Sequence, residues 1–184
     1  MENTKRTVAK QKSRQSELSS LTLISAYVAL ALLLFYVEGF LPPLIPVVPF
    51  ARLGLANIVS LVALYTLGGK KAFAVLITRC VLGALFMGNV FSLVYSLTAG
   101  VASFLVMLVL KKTCGKFLGM AFISVVAAIT HNLVQVGLAM LIVGNIYVLA
   151  LLPYLLIMSV ISGIVTSICA KFITSKIYIK KETV

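Results

Sequence analysis

Few side chains in this sequence can carry charge, and three of them fall inside apolar runs: Glu38, Arg79 and His131. Such groups are costly in an apolar solvent and therefore line a cavity or pair with one another. Arg79 brings a planar fork of N–H donors that matches a carboxylate or a phosphate. The same runs carry the neutral donors and acceptors Asn57, Asn132 and Gln135, and Arg52 stands at the edge of one of them. His131 and Gln135 are spaced i, i+4, which sets them on one face of a helix; Gln135 is also i+3 from Asn132. Together these residues describe a binding site. Arg79 would hold an anionic group, and Arg52 would add positive potential at the mouth. Asn57, His131, Asn132 and Gln135 would fix orientation, and Glu38 would pair with either arginine or accept from the ligand. An architectural reading fits the same residues. In it Glu38–Arg52 is an interfacial ion pair, and the amides are interhelical hydrogen bonds worth about 0.6–2 kcal/mol each.

Most catalytic chemistry is excluded by what is missing. The acids are Glu2, Glu17, Glu38 and Glu182, with no aspartate and one histidine. An aspartate-rich magnesium site for diphosphates and a Ser-His-Asp triad are therefore ruled out. Cys80 and Cys169 lie in apolar runs and Cys114 in a basic loop, without the spacing of a zinc site or a disulfide framework. Gly68-Gly69-Lys70-Lys71 is not a phosphate-binding P-loop. No catalytic residue, metal or cofactor is expected, so uphill transport would draw on an ion gradient or another subunit.

The elements that hold these residues follow from composition. The chain has 184 residues, 61% hydrophobic and 11% charged, against roughly 45–50% and 25% for a soluble domain. Its solvent is lipid. A membrane helix needs about 20 apolar residues, and the chain reads as an all-α, polytopic bundle of six spans. These run Leu18–Phe40, about 53–67, about 72–87, Val90–Leu110, Phe117–Val143 and Ile146 to about 173. The first exceeds a signal-peptide core of roughly 7–15 residues and reads as uncleaved. Between the first two spans lies a proline-rich outer loop, 41–52, where four of the five prolines forbid a helix. Basic tails, 1–17 and 174–184, flank the membrane domain 18–173, the first as a solvated segment near anionic headgroups.

Sidedness comes from the cations. Of 16 Lys and Arg, fourteen fall in the N-terminal tail, in the loops at 68–71 and 111–116 and from Lys171 onward; the others are Arg52 and Arg79. That bias places both termini in the cytoplasm. Scattered in short clusters, the +12 net charge forms no nucleic-acid patch. Glu38, Asn57, Arg79, His131 and Gln135 then lie at or outside the midplane, with no acid at the depth of Arg79. Ser25, Ala26 and Ala29 would let a partner helix approach the first span closely, whereas Ser159/Gly163 and Gly163/Ser167 serve internal packing or a subunit contact.

Three blocks carry a family resemblance: Arg52-Leu53-Gly54-Leu55-Ala56-Asn57-Ile58, Arg79-Cys80-Val81-Leu82-Gly83-Ala84-Leu85-Phe86-Met87-Gly88 and His131-Asn132-Leu133-Val134-Gln135. Over about residues 20–175 the sequence resembles the Gx transporter family, bacterial membrane proteins also labelled heptaprenyl diphosphate synthase component I. That family is similar to the substrate-binding S components of energy-coupling-factor transporters. The resemblance implies an S-component-like bundle in the bacterial cytoplasmic membrane, with an outward pocket lidded by the proline-rich loop. It also implies that the first helix meets a transmembrane coupling subunit served by two ATPases. The function expected is uptake of a small, anionic organic molecule. The alternative is a non-catalytic membrane accessory subunit of isoprenoid or quinone biosynthesis.

Overall fold

The computed structural model describes residues 2–40, 54–88, 90–115, 117 and 119–182. The proline-rich loop and Arg52 lie outside them. Among the described residues six α-helices follow in order: α1 (Glu2–Gly39), α2 (Ala56–Thr66), α3 (Gly69–Met87), α4 (Val90–Cys114), α5 (Met120–Val143) and α6 (Leu152–Glu182). A 3-10 turn, Ile146–Leu151, leads into α6. Asn145 caps that turn by accepting from the Tyr147 N–H at 2.9 Å, and Pro153 sits in the first turn of α6, where its missing N–H costs nothing.

Among the described residues, four segments are long and apolar enough to cross a membrane: Leu18–Gly39, Val90–Cys114, Met120–Val143 and Ile146–Ile177. The chain is thus a multi-pass membrane protein. The remaining two helices depart from the expected spans for physical reasons. α3 has 19 residues, about the right length, but carries Lys70, Lys71 and Arg79. α2 has only 11 residues, so at 1.5 Å each it extends roughly 17 Å and does not reach across a hydrocarbon core of about 30 Å.

Instead α2 is the hub. Its residues Ala56–Leu64 are all buried, as expected of a helix apolar all round. It packs on α1, α3, α4 and α6, while α1–α3, α3–α4, α4–α5 and α5–α6 contacts build the wall around it. The C-terminal end of α2 is fastened from two sides. Lys111 Nζ donates to Leu64 O at 2.8 Å and lies 4.3 Å from the centre of the Tyr65 ring. Tyr27 Oη and Thr66 Oγ1 share a 3.0 Å hydrogen bond.

Packing inside the bundle resolves one question that spacing left open. Gly163 and its small neighbours face inward: a Cβ on Gly163 would stand 2.6 Å from Val125 Cα, and Ser159 and Ser167 are buried. They bring α6 against α5. Ser25, Ala26 and Ala29 are exposed on α1, among outward-facing Leu33, Leu85, Phe86, Leu141 and Ile157. Apolar groups outside and polar groups inside is the distribution that lipid imposes.

Three helices run on past the apolar spans. α1 begins at Glu2 rather than after a separate tail, and α6 continues through the basic residues to Glu182. Cys114 ends α4 instead of lying in a loop, so Lys111 and Lys112 occupy the last turn of that helix.

Candidate functional site

Five of the seven residues proposed to bind a ligand line one cavity: Glu38, Asn57, Arg79, His131 and Gln135. Phe35, Gly54, Ala56, Ser92 and Ser96 complete its lining. It draws on the C-terminal end of α1, the start of α2, the second half of α3, the first turns of α4 and the middle of α5. Glu38 and Arg79, which depth along the helices had set apart, thus share a cavity. Asn132 does not line it; its Nδ2 donates to Ser159 Oγ at 2.7 Å across α5–α6, and Ser159 in turn donates to Leu155 O at 2.6 Å. Arg52 lies outside the described residues.

The polar groups are held by few bonds. Glu38 Oε1 accepts from the Gly54 N–H at 2.6 Å, which sets the carboxylate at the positive end of α2. Gly54 has φ +81°, and a Cβ there would stand 2.9 Å from Asn57 Nδ2. Only glycine meets both demands at low cost. Arg79 Nη2 donates to Asn57 Oδ1 at 3.1 Å. Gln135 Nε2 lies 3.1 Å from His131 Nε2. As the amide nitrogen can only donate, His131 Nε2 accepts, and the proton of the neutral ring then sits on Nδ1.

Three buried polar atoms of lining residues have no hydrogen-bond partner: Arg79 Nε, Ser96 Oγ and His131 Nδ1. The first and last are N–H donors and the second is a hydroxyl. Buried polar atoms are seldom left unmatched; of the five among the described residues, three belong to residues of this lining and the others are Ser60 Oγ and Ser124 Oγ. The cavity is small, about 20 Å³, near the minimum of roughly 10–15 Å³ that admits a single water. In this geometry the cavity accepts one oxygen-sized atom, offered to it by donors. It does not enclose a whole organic molecule.

Ser92 and Ser96 were absent from the sequence-level set, because a serine in an apolar run carries little signal. Their i, i+4 spacing at the start of α4, on the end of the bundle that holds His131, is what would have found them. Among the described residues no group of three or more His, Cys, Asp or Glu could hold a metal ion.

A family model described as heptaprenyl diphosphate synthase component I matches residues 27–173, a stretch that contains every residue of the cavity. No curated protein matches the chain.

Proposed function

The chain belongs to the heptaprenyl diphosphate synthase component I family, and we propose that it captures a small organic molecule by its anionic group, as a membrane uptake component. One observation carries this reading: Arg79 is 6% exposed and its Nε has no hydrogen-bond partner, beside equally unmatched Ser96 Oγ and His131 Nδ1. A carboxylate or phosphate oxygen entering the cavity would accept from these donors. Glu38 shares the cavity and accepts from the Gly54 N–H. The cation bias of the sequence supports cytoplasmic termini and a cavity in the outer half of the membrane. The S-component resemblance supports a coupling subunit with two ATPases as the source of energy.

The test is mass spectrometry of small molecules retained by gently purified protein, compared with Arg79→Ala. Charge-assisted hydrogen bonds contribute about 1.5–3 kcal/mol each, so the variant should lose about 10- to 150-fold in affinity while still folding in detergent. Undiminished retention by the variant removes the assignment.

A second reading is favoured by the family's own description. It makes the chain a non-catalytic accessory subunit beside a prenyl diphosphate synthase, with the polar residues as interhelical ties. Co-purification separates the two: a membrane coupling subunit with ATPases supports uptake, and a soluble prenyl synthase supports the accessory role.

A further inference from the structure

The cavity gathers an acid, a base and a cation around one residue. Gly54 donates its N–H to Glu38 Oε1 at 2.6 Å. A Cβ on Gly54 would stand 2.9 Å from Asn57 Nδ2 and 3.7 Å from His131 Cδ2, and Asn57 Oδ1 accepts from Arg79 Nη2 at 3.1 Å. Among the described residues of the lining, the ionisable side chains are Glu38 from α1, Arg79 from α3 and the His131 ring itself on α5. α2 and α4 add the neutral Asn57, Ser92 and Ser96, while Tyr95 of α4 packs in an apolar cluster with Val136 and Ala139. Glu38, Arg79 and His131 are each 6% exposed, so salt and water screen their charges little. An anion entering here stands close to the Glu38 carboxylate as well as to Arg79. Its buried negative charge calls for a further positive one.

We propose that the site takes a monoanion together with one proton, which lodges on His131. This deepens the anion-binding reading above and rests on it. In this structure the ring is neutral, with its proton on Nδ1 and with Nε2 accepting from Gln135 Nε2 at 3.1 Å. The Nδ1–H has no hydrogen-bond partner and is available to the oxygen of an anion. A proton from solvent then has one ring nitrogen to go to, Nε2. There the Gln135 side chain serves both states of the ring. Its Nε2 donates to the neutral ring; after a half-turn of the amide its Oε1 accepts from the new N–H. The turn exchanges a donor for an acceptor and moves no backbone. Proton and anion enter as a pair, because an opposite charge in contact favours the imidazolium. The imidazolium in turn gives the anion a charge-assisted bond, about twice as strong as a neutral one. The ligand class is thus the monoanion of a weak acid, bound at the net charge of its conjugate acid.

The experiment titrates the full chain in detergent with sodium formate and with sodium dimethyl phosphate, both monoanions throughout the pH range used. Calorimetry in two buffers of different ionisation enthalpy counts the protons taken up per anion bound, and the count at about pH 7 should lie between about one half and one. Since the protonated site is the better binder, affinity should fall as pH rises. The loss from about pH 6 to about pH 8 should be at least about tenfold, and one proton limits it to about tenfold per pH unit. Arg79→Gln should lose binding at every pH. His131→Gln can donate but cannot titrate, so it should take up no proton and bind no more tightly at low pH than at high. Glu38→Gln keeps an acceptor for the Gly54 N–H and removes the competing charge; it should raise affinity at about pH 8 and lower the proton count. Binding that depends on Arg79 but not on pH, with no proton taken up, refutes the linkage alone and leaves the anion site standing. Proton uptake that persists in His131→Gln refutes it too, because the proton then lodges elsewhere. Should either variant fail to fold, the proton count and the pH series of the native chain decide. No binding of either anion at any pH removes both readings.

Discussion

Gly54 is the position where the backbone, the cavity and Arg79 can be tested together. Replacing it with alanine has two separable costs. The first is conformational: at φ +81° an L-residue loses about 1–2 kcal/mol. The second is a contact, because the new Cβ lies 2.9 Å from Asn57 Nδ2. The amide must turn away, and the Arg79–Asn57 bond of 3.1 Å goes with it, at about 1.5–3 kcal/mol for a bond to a charged group. Gly88 provides the control. It has φ +62° and nothing within 4 Å of its Cβ position, so Gly88→Ala bears the conformational cost alone. The gap between the variants is then the contact cost, about 3–12 °C in unfolding midpoint for a chain of this size. A thiol-reactive dye that reports exposure of Cys80, 2% exposed in the fold, measures it in detergent. Asn57→Ala closes the cycle: with the amide gone, Gly54→Ala should cost no more than Gly88→Ala. Equal losses for Gly54→Ala and Gly88→Ala in the otherwise native chain would refute the reasoning. So would a gap that survives Asn57→Ala.

Two further expectations follow from packing. Gly163→Ala should destabilise by about 1–3 kcal/mol, since the new methyl meets Val125 backbone and α5 and α6 must part; Gly137→Ala, with nothing within 4 Å, should be neutral or gain up to about 1 kcal/mol. Thermal midpoints of the pair check this, and a Gly163 variant as stable as the Gly137 one would count against the close approach. Asn132→Leu removes the 2.7 Å bond to Ser159 and should lower stability by about 0.6–1.7 kcal/mol while leaving retention of the ligand unchanged, because Asn132 does not line the cavity.

What the sequence revealed and what it concealed divide along physical lines. Gly88 and Gly144 end α3 and α5 where the apolar runs stop, because a helix that leaves the membrane needs a residue able to turn the chain. At the basic ends helix and span part company. Residues 2–17 are rich in Lys, Arg, Gln and Glu and contain no Gly or Pro, so a change in composition marks where α1 leaves lipid and says nothing of where the helix starts. Lys111 belongs to the last turn of α4, and its ammonium closes the C-terminal end of α2, a contact between residues 47 apart that no local pattern encodes.

The candidate site illustrates a finer limit. Gln135 is i+4 from His131 and i+3 from Asn132, and both spacings make neighbours on a helix surface. Spacing alone gave all three one role. The fold separates them because consecutive residues on a helix point about 100° apart: His131 turns to the cavity with Gln135, and Asn132 turns to Ser159 on α6. Arg79 finds Asn57 across 22 residues of sequence, and Glu38 reaches the same cavity only because α2 is short and buried, so that its start lies beside the end of α1. The depth argument treated each span as crossing the whole membrane, which α2 by itself does not. A half-length central helix brings its positive end to Glu38 and its first turn to Arg79. The start of α2 thereby fixes the Glu38 carboxylate through the Gly54 N–H and the Arg79 guanidinium through Asn57.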